Sequence, residues 1–221
     1  MSLRAAEIAQ HADFFACVQR QSEAFLQVNE RSPRLASIFS TQHRWLMAHI
    51  GLSLYFRGRA QERFDGLTAS RFSEHVRVFN VASRNTAASF LSEMLKYGVL
   101  LEKPDRFDRR KKLLEPSSET LGALDTWMSI HANTLDMIDA GTRLADYQSD
   151  RALITQLQPL IADGFVQHSS IREPATAFSH FMWVNNGFLV TERLIFALEE
   201  PGNGSGPILT SFRSIRTWPP E

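Results

Sequence analysis

Cysteine occurs once in this chain, at Cys17, so no internal disulfide can form and a packed core has to hold the fold. A reducing compartment, the cytoplasm, is the simplest expectation. Long apolar runs are missing too. The nearest approach to a membrane span, Phe178 to Leu198, carries Asn185, Asn186, Glu192 and Arg193, and two ionised groups in hydrocarbon would be costly. It reads instead as a buried or subunit-interface helix. The opening Met1-Ser2-Leu3-Arg4 leads into a polar amphipathic stretch, which argues against a signal peptide.

Chemistry-bearing patterns are scarce. The seven histidines, His11, His43, His49, His75, His131, His168 and His180, include no His-x-x-x-His or Cys-plus-His spacing, so no metal site is expected. His131, near the apolar face of a long helix, reads as a core histidine. No Gly-x-Ser-x-Gly elbow or acid/base pair is present, and Cys17 falls mid-helix as a small buried hydrophobe. The glycine-rich Gly202 to Gly206 follows a helix and not a strand, the wrong context for cradling phosphate. The expectation is a protein without a cofactor that is not an enzyme.

Net charge is zero as well, but its distribution is uneven. Tyr55 to Glu115 holds 13 Lys/Arg against 8 Asp/Glu, leaving 11 basic and 16 acidic residues elsewhere. An excess of five positive charges places any polyanion-binding surface in the middle of the chain.

What is present is mostly helical periodicity. A helix is expected from Leu3 to about Asn29, a break at Ser32-Pro33, then a second helical run to Arg59. Thr68 is placed to cap a helix burying Phe72, Val76 and Phe79. Asn80 to Ala82 makes a short corner. Ser83 caps the next helix, whose Ala87, Phe90, Leu91, Met94 and Leu95 share one face. Lys96 and Gly98 suit its C-terminal end. Val99 to Leu101 and Lys112 to Leu114 read as strands around an exposed loop, and Pro116 stops the second. Ser117 or Ser118 opens a long helix through Leu121, Leu124, Met128, Leu135 and Ile138. Two more helices, Arg143 to Gly164 with a kink at Pro159 and Pro174 to Glu199, precede a Gly/Pro/Ser-rich tail from residue 201 to 221.

The order helix, corner, helix, hairpin, long helix carries the functional argument. A helix-turn-helix braces its second helix so that the outer face meets the major groove. Here the outward positions are Arg84, Asn85, Ala88, Ser89 and Ser92, none of them acidic and several short enough for close approach. Arg can bond guanine, Asn adenine, and an Ala methyl a thymine methyl. Ser83 and Thr86 in the first turn can cap the helix or donate to phosphate. The loop Lys103 to Lys112 contains six basic and two acidic residues, including Arg106, Arg109, Arg110 and Lys111, a charge suited to phosphate or minor-groove contact.

The stretch Ser83-Arg84-Asn85-Thr86-Ala87, Leu95-Lys96-Tyr97-Gly98-Val99-Leu100, then Asp105, Asp108-Arg109-Arg110 and Leu113-Leu114 resembles the MarR-type winged-helix transcriptional regulators, as a divergent member. It departs from their pattern after the wing, where Glu115-Pro116-Ser117-Ser118-Glu119 stands in place of the usual Leu-Thr-x-x-Gly. The resemblance implies a homodimer whose flanking helices form the dimerisation layer. It also implies that Arg84, Asn85 and Ser89 face the major groove, Arg110 reaches the minor groove, and Asp108 stabilises the wing by pairing with an Arg.

The expected fold is mainly α with a small β-hairpin wing. Residues 1–60 would be dimerisation or support helices, 61–116 the winged helix-turn-helix, 117–200 C-terminal dimerisation helices and 201–221 a flexible tail. The expected activity is sequence-specific binding of double-stranded DNA, with a winged-helix protein-interaction module as the alternative. The aromatics Phe178, Phe181, Trp183, Phe188 and Phe196 surround their helix on all sides. They suggest a helix buried between neighbours or subunits, or else a pocket for a small apolar or aromatic effector.

Overall fold

The computed structural model describes residues 3–60, 66–105, 111–174 and 176–198. It is mainly helical with a single two-stranded antiparallel hairpin among the described residues. The elements in chain order are α1 Ala5–Ala9, α2 Phe14–Arg31, α3 Pro33–Ile38, α4 Gln42–Ala60, α5 Ala69–Val78 and α6 Arg84–Lys96. Strands β1 Leu100–Pro104 and β2 Lys112–Pro116 follow, then α7 Ser118–Asp139, α8 Arg143–Ser149, a 3₁₀ turn Arg151–Leu153 and α9 Ile154–Gln167. The short α10 Ser169–Arg172, α11 Thr176–Met182 and α12 Gly187–Ala197 end the described chain. No helix among these residues is long and apolar enough to cross a membrane.

Helix α4 is the axis of the core. Its Leu46, Met47, Ile50, Leu54, Tyr55 and Phe56 are buried around nearly the whole circumference, the pattern of a helix enclosed on all sides. It packs against α5, α9 and β2, while α2 packs against α7 and α12. One buried cluster runs from α4 through Phe72 and Val76, Phe90 to Met94, and Leu114, on to Leu124, Met128 and Val166. Gly58 permits the close approach of α4 to the start of the next unit, since a Cβ there would run into the Gly66 backbone.

Periodicity located the long helices but joined some that are separate. The expected Leu3–Asn29 helix is divided at Gln10–Asp13, where the Asp13 N–H donates to His11 Nδ1 (3.2 Å) and the Phe14 N–H to His11 O (3.0 Å). A polar side chain there offers the backbone a local alternative to the helix. The run expected from Pro33 to Arg59 divides between Ile38 and Gln42, where the Ser40 N–H donates to Ser37 O at 3.3 Å. Asp150 splits the Arg143–Gly164 helix by accepting the Ala152 N–H (3.0 Å), whereas α9 runs through Pro159 to Gln167. The Pro174–Glu199 helix is interrupted after Met182, and Asn186, in a left-handed conformation (φ 60°), stands at the N-cap where the second piece begins at Gly187.

Strand β1 begins one residue later than expected and extends to Pro104. Each strand of this two-stranded ribbon has a free edge, so proline is tolerated. The aromatic helix is also less enclosed than its composition suggested. Phe178, Trp183 and Phe196 are 45–49% exposed in the single chain, while Phe181 and Phe188 are half-buried.

Candidate nucleic-acid interface

The middle of the chain builds a helix–corner–helix unit from local signals. Thr68 accepts the Arg71 N–H and caps α5; Ser83 accepts the Thr86 N–H at 3.2 Å and caps α6. Between the helices, Asn80 takes a left-handed conformation (φ 52°) that turns the chain, and the Val81 N–H returns to Val76 O at 2.9 Å. Phe72 and Phe90 stack across the two helices with centroids 5.9 Å apart and an interplanar angle of 13°. Ala87, Phe90, Leu91 and Met94 are all buried, so α6 presents a single defined face outward.

That outward face contains the residues selected from sequence. Ser83, Arg84, Asn85, Thr86, Ala88, Ser89 and Ser92 are all exposed. The single acidic residue of α6, Glu93, is turned aside: Arg44 on α4 holds both of its carboxylate oxygens, at 2.8 and 3.0 Å. A bidentate guanidinium pair neutralises the one charge that would repel a polyanion. Arg44 also lies over the Phe90 ring, 5.4 Å from its centroid.

The end of α6 leads directly into the hairpin. Gly98 adopts φ 70°, its N–H donates to Leu95 O (3.1 Å) and the Val99 N–H to Met94 O (2.9 Å). This is a Schellman ending, which requires a left-handed residue that glycine supplies without strain. The strands pair Leu100 with Pro116 through to Pro104 with Lys112. The hairpin is tied down at its base, with the Leu114 N–H donating to Leu67 O and Thr120 Oγ1 to Val99 O, both at 2.9 Å. Lys112 and Glu102 form an exposed pair at 2.9 Å. Lys111 is half-buried just before β2; Arg106, Asp108, Arg109 and Arg110 lie outside the described residues.

Two supports were not found from sequence. Arg172, on α10, donates from Nη1 to Phe79 O at 3.2 Å. Gln42 at the start of α4 donates from Nε2 to Ile171 O. Through α10 the chain is therefore tied both to the α5–α6 corner and to the start of α4. No short-range pattern marks a contact between residues so distant in sequence.

Behind α6 lies an apolar cavity of about 450 Å³ between α2, α4, α6 and α7. None of the five aromatics suggested from sequence for an effector pocket lines it; Phe25, Trp45, Phe90 and Trp127 do, with His49. His49 stands among Trp45, Trp127 and Phe165, with ring centroids 4.5, 5.1 and 5.0 Å away. Burial, reinforced by His131, holds its pKa down at about 3, and burial holds that of His131 at about 4. Gln158 Nε2 donates to His49 O (3.1 Å) and lies 3.4 Å from Nδ1. The signal available in sequence was a repeated Trp-x-x-x-His spacing, Trp45–His49 on α4 and Trp127–His131 on α7.

Comparison of the chain with family models, curated proteins and solved structures gave no match.

Proposed function

We propose that this chain is a cytoplasmic, homodimeric transcription regulator of the winged helix-turn-helix type that binds double-stranded DNA in a sequence-specific manner. In this reading α5 and α6 are the helix-turn-helix, α6 is the recognition helix and the β1–β2 hairpin is the wing. The observation that carries it is the outer face of α6. Seven small or hydrogen-bonding side chains are exposed there, and its one carboxylate is paired with Arg44. Beside it stands a hairpin whose sequence is strongly basic.

Arg84 and Asn85 would read base edges, with Ser83, Thr86, Ala88, Ser89 and Ser92 allowing the helix backbone to lie close. The basic wing residues Arg106, Arg109, Arg110 and Lys111 would contact phosphate and the minor groove, with Asp108 bracing them. The apolar side chains exposed on α11, α12 and the turn between them support self-association, because a single chain leaves Phe178, Trp183, Val184 and Phe196 about half open to water. A dimer would present its two recognition helices to a pseudo-palindromic operator with half-sites roughly 34–36 Å apart.

The test is gel-shift binding to mixed genomic duplexes over a range of salt concentrations. Affinity should fall steeply as salt rises, through counterion release. The double variant Arg109→Glu, Arg110→Glu should weaken binding to every duplex; unchanged binding at physiological salt would remove the wing from the mechanism. If the wild-type chain retains no DNA yet captures a protein through the α6 face, the interaction-module reading replaces this one. That face carries no large apolar anchor of the kind such modules use, and the exposed Val78 and Tyr97 lie off it.

A further inference from the structure

We infer that the packing of α12 on α2 is a pH-responsive latch, closed while the Glu192 carboxyl keeps its proton and loosened once the proton leaves. Its consequence for assembly rests on the self-association reading above; the latch itself does not.

The two helices meet along a face largely closed to water. Cys17, Ser22 and Leu26 of α2 are buried, and α12 packs against α2 and α11. Polar ties flank this contact. Gln19 Nε2 donates to Leu198 O at 2.6 Å and to Ile195 O at 3.3 Å, satisfying carbonyls at the end of α12. Arg193 lies 3.7 Å from the exposed carboxylate of Glu30. Beside them is Glu192, whose Oε2 is sealed from water and has no hydrogen-bond partner. The Ser22 Oγ is likewise buried and lacks a partner in good geometry, yet its hydroxyl is the polar group that acts on the carboxyl. A carboxylate in this place gives up its hydration for a single hydroxyl, whereas the protonated acid loses less and can itself donate to Ser22. Burial accordingly raises the Glu192 pKa above its ordinary 4.5, with only Ser22 opposing the shift.

Among the described residues no charged group contributes to that shift. The titratable groups of the packed elements are Cys17, Arg20, Glu23, Glu30 and Arg31 on α2 and His180 on α11. All but Cys17 are exposed, and burial pushes the Cys17 thiol up, which keeps it neutral. Helix α4 meets α12 at Trp45 and Phe188; its His43 faces Trp183, its Arg44 holds Glu93 and its His49 is enclosed by aromatic rings.

The folded chain therefore holds the Glu192 proton more tightly than the unfolded chain does. Its stabilisation is fully present below about pH 4.5 and is lost as pH rises through the raised value. An ionised Glu192 is better solvated away from α2, so α12 opens more often. Helix α12 carries Phe196 and follows the turn that holds Trp183 and Val184, so loosening it removes the support of the apolar patch used for self-association.

Hydrogen exchange of the full chain at about pH 5 and about pH 8, with times scaled for the chemical rate and read by mass spectrometry, tests the latch. Wild type should lose α12 protection by about threefold or more at the higher pH, measured against α9 in the same molecule. Glu192→Gln or Glu192→Met, which keep the side-chain length and cannot ionise, should show a flat profile. An unchanged wild-type profile, the same loss in both variants, or an unprotected α12 at the lower pH in both variants overturns the latch, since an uncharged group is what it holds. Sedimentation velocity at the same two pH values tests assembly, with wild-type dimer affinity falling by about threefold or more at the higher pH. Equal dimer affinity at both overturns the coupling and leaves the latch standing. A chain that is monomeric throughout ends the self-association reading, while the exchange still decides the latch.

Discussion

The buried imidazole of His49 makes the stability of this protein depend on pH in a way that can be worked out in advance. Burial and the neighbouring His131 lower its pKa from 6.5 to about 3 in the folded chain. The ring is 4% exposed and enclosed by Trp45, Trp127 and Phe165. In the unfolded chain it titrates normally, so below about pH 6.5 the unfolded state binds a proton that the folded state refuses. The contribution is therefore fully present above 6.5 and is lost as pH falls towards 3. The loss between about pH 7.5 and about pH 4.5 is on the order of 2–3 kcal/mol from this residue alone.

That is a large share of a typical domain's stability of about 5–15 kcal/mol. Urea unfolding followed by tryptophan fluorescence at the two pH values, on wild type and His49→Phe, measures it directly. The phenylalanine keeps the ring packed and removes the titration, so acidification should cost the variant on the order of 2–3 kcal/mol less. Contributions from groups that do not interact with His49 cancel in the difference. An equal pH dependence in the two proteins would show that His49 is solvated or charged in the folded state.

Other substitutions probe the separate parts. Asn85→Ala should leave stability within about 0.5 kcal/mol, because the side chain is exposed. It should relax base preference at one operator position by about 1–3 kcal/mol, as read by competition gel-shift against single-base operator variants. Gly98→Ala places a Cβ at φ 70° and should cost about 1 kcal/mol in thermal or urea unfolding; no cost would mean the α6 ending rearranges freely. Arg172→Ala leaves the Phe79 carbonyl without its guanidinium donor. It should destabilise by about 1–3 kcal/mol and, on the proposed function, weaken DNA binding as well, both measurable by unfolding and gel-shift on the same sample.

The capped helices and the hairpin were legible because their signals are local. Thr68, Ser83 and Ser117 cap helices in the structure, and Gly98 closes α6; each acts through backbone groups a few residues away. The exposed face of α6 followed from the spacing of Ala87, Phe90, Leu91 and Met94, since burying one stripe of a helix exposes the other. Breaks within helices were less legible. Asp150 ends α8 and Asn186 precedes α12 through choices of backbone conformation that hydrophobic period does not record.

What the amino-acid order determined by itself is therefore a set of elements, their caps and the side of α6 that faces water, because those depend on contacts within one or two helical turns. Tertiary structure alone decided that Arg44 on α4 would neutralise Glu93, that Arg172 would hold the Phe79 corner, and that two Trp-His pairs would meet around a cavity behind α6. Those pairings join residues dozens of positions apart, and the one buried core that brings them together is a property of all the helices packed at once.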